Sequence, residues 1–255
     1  MTQEVLVTES DGVQIITLNR PEARNAATLA IAQGVAAALD ELDSRADLSA
    51  AVITGAGGTF CSGMDLKGFL RGERPRIDGR GFAGLTERPP KKPLIAAVEG
   101  YALAGGFEMV LACDLAVAAE DARFGLPEVK RGLVATAGGL VRLPRQVPQR
   151  VAMEMALTGG MISAARLYEC GLLNRVVESG KALEEALALA RAIAENGPLA
   201  VITSKRIIIE SADWPSTEVF ERQRAFAEPV FQSPDAREGA AAFAEKRKPV
   251  WNRKI

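Results

Sequence analysis

A chain of 255 residues, 48% apolar and 25% charged, is long enough for one large core, alone or with an appendage, and is ordinary for a globular protein. Its 31 Lys and Arg against 32 Asp and Glu leave a net charge of −1, so no basic excess draws it to nucleic acid or an anionic membrane. It has no histidine, which removes Ser-His-Asp and Cys-His triads, histidine-held zinc and imidazole general bases. Acid–base chemistry near neutral pH then falls to carboxylates, Lys, Tyr, Cys or water.

In chain order, Met1 leads directly into Glu4-Val5-Leu6-Val7 with no charged n-region or apolar h-region, so no signal peptide is expected. No apolar run reaches the length of a membrane span. Val5–Thr8, Val13–Leu18 and Ala50–Thr54 read as strands, and Leu29–Leu42 between them as a helix. Further strands are predicted at Leu94–Val98, Leu115–Ala118 and Leu173–Val177, and the alternation with helices points to an α/β fold. Arg71 to Pro93 is rich in Gly, Pro and charge, which predicts a mobile flap beside a site. Asn196-Gly197-Pro198 is a helix stop, and the pattern beyond it is wholly helical. The chain therefore divides into a core, 1–196, and a helical region, 197–255, whose apolar positions need the main body or another subunit to bury against. Cys61, Cys113 and Cys170 are odd in number and widely spaced, which fits reduced structural thiols in a cytoplasmic protein. Cys61, beside the candidate site, is open to a reactive role, with a small buried spacer preferred.

Two carboxylates stand out by their context. Glu108 closes Gly100-Tyr101-Ala102-Leu103-Ala104-Gly105-Gly106-Phe107-Glu108, and Glu128 closes Arg123-Phe124-Gly125-Leu126-Pro127-Glu128. A glycine-dense turn brings bare N–H groups close to a ligand, and a carboxylate just beyond it is placed to move a proton at the atom those groups polarise. Gly57 to Leu66 offers a second donor turn. Taken singly, Glu108 also reads as a solvated acid at a helix start and Glu128 as a cap.

These segments, in this order, resemble the enoyl-CoA hydratase/isomerase (crotonase) family. Leu18 to Ala26, Phe60 to Leu66, Gly138-Gly139 and Phe243 to Arg247 match as well, so the resemblance covers nearly the whole chain. It implies a core of repeated β-β-α units wound as a superhelix and a C-terminal helical trimerisation region, with trimers that often pair into hexamers. It implies that Met64 and Gly105 give backbone N–H groups to a thioester oxygen. It also implies that Glu108 activates a water for the β-carbon while Glu128 protonates the α-carbon. Arg24, Ala26, Ser62, Asp65, Leu66, Gly106 and Lys246 are the implied contacts to substrate or coenzyme A. For the segment around Arg24, a strand-exit turn with Asn25 as helix N-cap is an equal alternative, and Asp65 also reads as an N-cap. No metal or redox cofactor is implied, since coenzyme A is part of the substrate, and neither nucleic acid nor membrane is an expected partner.

Because isomerases of the family usually keep one acid, both glutamates point to addition or removal of water. Gly81 to Glu87 and Phe243 to Trp251 look especially like carnitinyl-CoA dehydratases, but Met64 and Ala135-Thr136 depart from that subgroup. An isomerase and a non-catalytic acyl-CoA-binding protein are the alternatives.

Overall fold

The computed structural model describes residues 3–252. β1 (Val5–Ser10) and β2 (Val13–Leu18) form an antiparallel hairpin closed by Asp11-Gly12, both at positive φ, the two-residue turn that matches strand twist. α1 (Leu29–Ser44) leads to β3 (Ala50–Gly55), and α2 (Leu66–Leu70) to a small hairpin of β4 (Arg76–Ile77) and β5 (Gly81–Phe82). Then come β6 (Leu94–Val98), β7 (Tyr101–Leu103), α3 (Gly105–Ala112), β8 (Leu115–Ala119) and β9 (Arg123–Gly125). A 3-10 turn at Pro127–Arg131 precedes α4 (Gly139–Gln146), α5 (Gln149–Thr158), β10 (Met161–Ser163), α6 (Ala164–Glu169) and β11 (Arg175–Val177). The chain closes with α7 (Ala182–Ala194), α8 (Pro198–Glu210), α9 (Val219–Phe231) and α10 (Pro234–Ala244).

The large sheet has the order β1-β2-β3-β6-β8-β11 and is parallel beyond its first pair. Successive residues of β6 face opposite layers. Leu94, Ala96 and Val98 join the α1 side with Ile31, Val35 and Leu39, while Ile95 and Ala97 join Ala182, Ala186 and Ala190 of α7. A strand covered on both faces is apolar throughout, and β6 is. A second sheet, β10-β9-β7, sets β7 parallel to β9 with Leu103 opposite Gly125. Cys61 bridges to Ala102 at its margin. Three times, then, the chain runs from a large-sheet strand to a short segment of the small sheet and into a helix: β3, Cys61, α2; β6, β7, α3; β8, β9, α4. This is the expected repeated β-β-α core.

The six predicted strands and the first helix lie where expected, with β11 two residues shorter, β1 and α1 two longer, and β3 and β8 one longer than predicted. The strands β7, β9 and β10 span three residues each, too short to show a period. Asn25 is not the cap of α1. Thr28 is, accepting from the Ile31 N–H, while buried Asn25 sits at positive φ and bonds Arg20, Ala56 and Thr59 instead.

The segment expected as a flap is not one exposed loop. Arg71 to Gly79 is largely exposed, but Arg80, Ala83, Leu85, Thr86 and Lys92 are buried. Gly84 lies so close to α1 that a Cβ would stand 2.2 Å from the Ala32 carbonyl oxygen, so this glycine serves packing. Arg80 pairs with Asp40 of α1, and the Lys92 ammonium caps the end of α1 through the carbonyls of Leu42, Arg45 and Leu48. Among the described residues no helix is long and apolar enough to cross a membrane.

Candidate active site

Parallel pairing of β7 with β9 brings the two glutamate-bearing motifs side by side. Beyond Leu103, the chain turns directly into α3 at Ala104, which adopts φ 50° and ψ −129°. For a residue with a Cβ this conformation costs about 1–3 kcal/mol and survives only where neighbours enforce it. They do: the Ala104 N–H donates to Gly125 O at 2.9 Å, and its carbonyl accepts from the N–H groups of Phe107 and Glu108. The turn leaves the Gly105 N–H at the helix start, and among the described residues neither it nor the Met64 N–H has an acceptor within the chain. Gly63, next to Met64, packs on this turn, its Cβ position only 3.5 Å from the Gly105 nitrogen. Two bare donors thus come from two separate β-β-α units.

Three close approaches hold this geometry. A Cβ on Gly106 would stand 2.2 Å from the Cys61 carbonyl oxygen, and one on Gly105 would stand 2.4 Å from the Phe82 ring. Beneath them, Phe107 and Phe124 meet edge to face with centroids 5.5 Å apart, locking α3 to β9.

Glu108 is only 3% exposed, which sets aside the solvated-acid alternative. Its Oε1 accepts from the Gly139 N–H at 2.9 Å, at the start of α4. A Cβ on residue 139 would crowd that oxygen at 3.0 Å. Burial pushes the Glu108 carboxyl up to about 7; the Gly139 N–H opposes the rise, the nearby Glu128 adds to it and Arg142 works against it. Glu128, on the 3-10 turn after β9, is also raised by burial, against its own N–H and Arg131. Its Oε2 is buried with no hydrogen-bond partner among the described residues, a costly arrangement that marks a group aimed at something else. Two neighbouring carboxyls that both resist ionising are suited to hold one proton and one charge between them.

The other expected contacts fall into groups. Asp65 caps α2 through the Lys67 and Gly68 N–H groups and accepts from both terminal nitrogens of Arg20 at 3.2 Å. Burial works against its charge, but the Gly68 N–H and Arg20 outweigh it and hold the carboxyl below its usual value. Ala26 spends its N–H on Ala23 and its carbonyl on Arg20. Arg24 is exposed with its carbonyl tied to the Ser62 N–H, and Leu66 is exposed at the start of α2. Lys246 follows α10 on the surface and bonds no residue of the glutamate site among the described residues. Cys61 is buried beneath the turn, which pushes its thiol up to about 11, as a packing residue requires.

Sequence reasoning did not assign the N–H that Gly139 gives to Glu108, although the Gly138-Gly139 pair was its signal. Phe82, Thr86 and Arg142 carried no local signal, because only the tertiary fold brings them to the site.

A family model described as enoyl-CoA hydratase/isomerase matches residues 8–254. The chain belongs to that family. It is 44% identical over 255 residues to an enoyl-CoA hydratase of Mycobacterium tuberculosis, covering 96% of this chain and 95% of that protein. It is 40% identical over 259 residues to a carnitinyl-CoA dehydratase of Salmonella typhi, covering 98% and 99%. Its fold superposes with a TM-score of 0.97 on the crystal structure of an enoyl-CoA hydratase from Mycobacterium tuberculosis, 57% identical and covering 99% of this chain and 100% of that one.

Proposed function

We propose that this chain is an enoyl-CoA hydratase that adds water across the 2,3 double bond of an acyl-CoA thioester. The observation that carries the reading is the pair of buried glutamates, one with an unpartnered oxygen, beside two bare N–H groups on separate turns. In the proposed step, ionised Glu108 takes a proton from a water whose oxygen bonds to the β-carbon. The π electrons move onto the thioester, and protonated Glu128 gives its proton to the α-carbon. Charge gathers on the thioester oxygen only as the enolate forms, so fixed donors at Met64 and Gly105 favour the transition state over the ground state. The step ends with one C–O and one C–H bond made, the double bond gone, and the proton moved from Glu128 to Glu108. Returning it resets the pair. Carboxyl groups and backbone suffice for this step, and no metal or redox group enters it.

Arg24, Ser62, Leu66, Gly106 and, through the end of the helical region, Lys246 remain proposed contacts for the nucleotide and acyl parts of the thioester. The helical region is proposed to build a homotrimer, alone or paired into a hexamer, working in the cytoplasm. Product analysis with a panel of enoyl-CoA thioesters of graded length, including crotonobetainyl-CoA, tests the reading. A 3-hydroxyacyl-CoA from at least one member is expected. Double-bond migration without hydration would make the chain an isomerase, and turnover of crotonobetainyl-CoA alone would make it a carnitinyl-CoA dehydratase.

A further inference from the structure

The two bare donors are held by different means. The Gly105 N–H starts α3, all eight of whose residues are buried. The Met64 N–H stands just before α2, which has five residues and buries only Gly68. A helix so short and so exposed gains little from its own hydrogen bonds or from packing, so it does not by itself fix the turn before it. The restraint comes from the other side. Met64 lies in a single parallel bridge to Ala27. The Ala27 N–H donates to Gly63 O at 2.7 Å and the Asp65 N–H donates to Ala27 O at 3.0 Å, so the two bonds straddle Met64. One guanidinium closes this bridge. Arg20 gives one terminal nitrogen to Ala26 O at 2.7 Å, on the residue before Ala27. It gives both to Asp65 Oδ2 at 3.2 Å, on the residue after Met64. The other Asp65 oxygen accepts from the Lys67 and Gly68 N–H groups at 2.9 and 3.1 Å, so one carboxylate joins α2 to Arg20.

We infer, in an argument that rests on the hydratase reading, that Arg20 is a positioning residue for the oxyanion hole: its guanidinium staples Ala26 to Asp65 across the Ala27–Met64 bridge and so aims the Met64 N–H. Arg20 is itself anchored. Its N–H donates to the Oδ1 of buried Asn25 at 2.8 Å, and its carbonyl accepts from the Asn25 N–H at 2.9 Å. Its Nε stands 3.4 Å from a Glu4 carboxylate whose other oxygen accepts from the hydroxyl of Thr28, the cap of α1. The side chains of Arg20 and Asp65 are both mostly buried, where a charge-assisted, fork-shaped contact holds its geometry better than a surface pair. On the opposite side the turn meets α3: the Cβ position of Gly63, at φ 101°, is 2.8 Å from the Ala104 Cβ. The Met64 turn is thus closed by packing toward Gly105 and by the Arg20 staple toward Ala27.

The test compares Arg20→Met, which keeps the stem and removes every donor, with Asp65→Asn, whose Oδ1 can still cap α2 but whose amide nitrogen cannot accept from Arg20. Each should lower kcat by about ten- to a hundredfold, the scale of a displaced donor, with KM and the affinity for free coenzyme A changed little. The double variant should be no slower than the slower single one, because both substitutions cut the same link. Losses that multiply, or weaker coenzyme A binding with kcat intact, would overturn the inference, the latter making Arg20 a support of Ala26 alone. Infrared difference spectra of bound butanoyl-CoA, carbon-13 labelled at the thioester carbonyl, read the donors directly and are blind to any unfolded fraction. The carbonyl stretch should lie below its value in water on the wild type and return part of the way on both variants. A stretch that either variant leaves unmoved would overturn the inference. A stretch at its water value on the wild type would instead remove the functional reading. The role of Arg20 would then be decided without ligand, by the Met64 amide in spectra of nitrogen-15 methionine protein, with Met64 and Met109 each assigned by substitution to Leu. The Met64 amide should shift in both variants while that of Met109 in α3 stays, and an unmoved Met64 amide overturns the inference.

Discussion

In α3 every residue from Gly105 to Ala112 is buried, and its start is pinned by backbone approaches to Cys61, Gly125 and Phe82. In α8 and α9 no residue is buried, and α10 buries only Ala242, while Phe220, Phe231 and Phe243 stand 70%, 74% and 88% exposed. Polar links tie the C-terminal region to the body, such as Lys205 to Asp114, Pro90 and Lys92, and the Trp251 indole to Glu195. The lesson is one of determination: the site is fixed many times over by groups within one chain, whereas the C-terminal helices leave these three phenylalanines largely without cover in it. Large exposed aromatics of this kind fit the proposed assembly, in which another copy of the chain would cover them.

The largest contrast should come from adding one carbon to the site. Gly106→Ala forces a Cβ against the Cys61 carbonyl, backbone that cannot rotate away. It should cost about 3 kcal/mol in chemical denaturation and displace the Gly105 N–H and Glu108 together, abolishing turnover. A variant as stable and active as wild type would show that the turn is looser than its packing implies.

Glu108→Gln should move stability the other way. Folding raises the Glu108 carboxyl from 4.5 to about 7, so the folded state holds its proton where the unfolded chain has lost it. Its contribution is fully present below pH 4.5 and is lost as pH rises through 7. Gln does not titrate, so above neutral pH the variant should be more stable by roughly 2–3 kcal/mol, the gap vanishing below pH 4.5. Melting curves at pH 4 and pH 8 check the sign. A gap that grows on acidification would mean that Glu108 is ionised at little cost in the fold.

The smallest effect within one chain should come from the C-terminal helices. Phe231→Ser and Phe243→Ser should change intrachain stability by about 0.5 kcal/mol or less, as exposed positions do, yet shift the mass seen by light scattering toward the monomer. A monomeric wild type at micromolar concentration would refute the proposed trimer and leave these aromatics unexplained.

What could be read from the sequence follows the same divide. Apolar runs of five or six residues gave the large sheet, as at Val13–Leu18 and Leu94–Val98, where strand and prediction coincide. The glutamates were legible because each follows a glycine-bearing turn. The small sheet was hidden in three-residue strands, and the packed half of the segment before Pro93 was not legible because glycine that allows tight packing looks like glycine that allows motion. Gly84 against Ala32 shows the difference, which depends on a neighbour fifty-two positions earlier in the chain. Arg142 was illegible for the same reason: its partner, the Thr86 carbonyl, lies fifty-six positions away.

The central claim is that Glu108 and Glu128 divide the addition of water between them. The most direct measurement follows hydration and solvent-deuterium entry at the α-carbon in parallel, for wild type, Glu108→Gln and Glu128→Gln, on a thioester the wild type hydrates. Each substitution should slow hydration by roughly two to four decades while acyl-CoA affinity changes little. Hydration that survives either substitution at near wild-type rate would contradict the account.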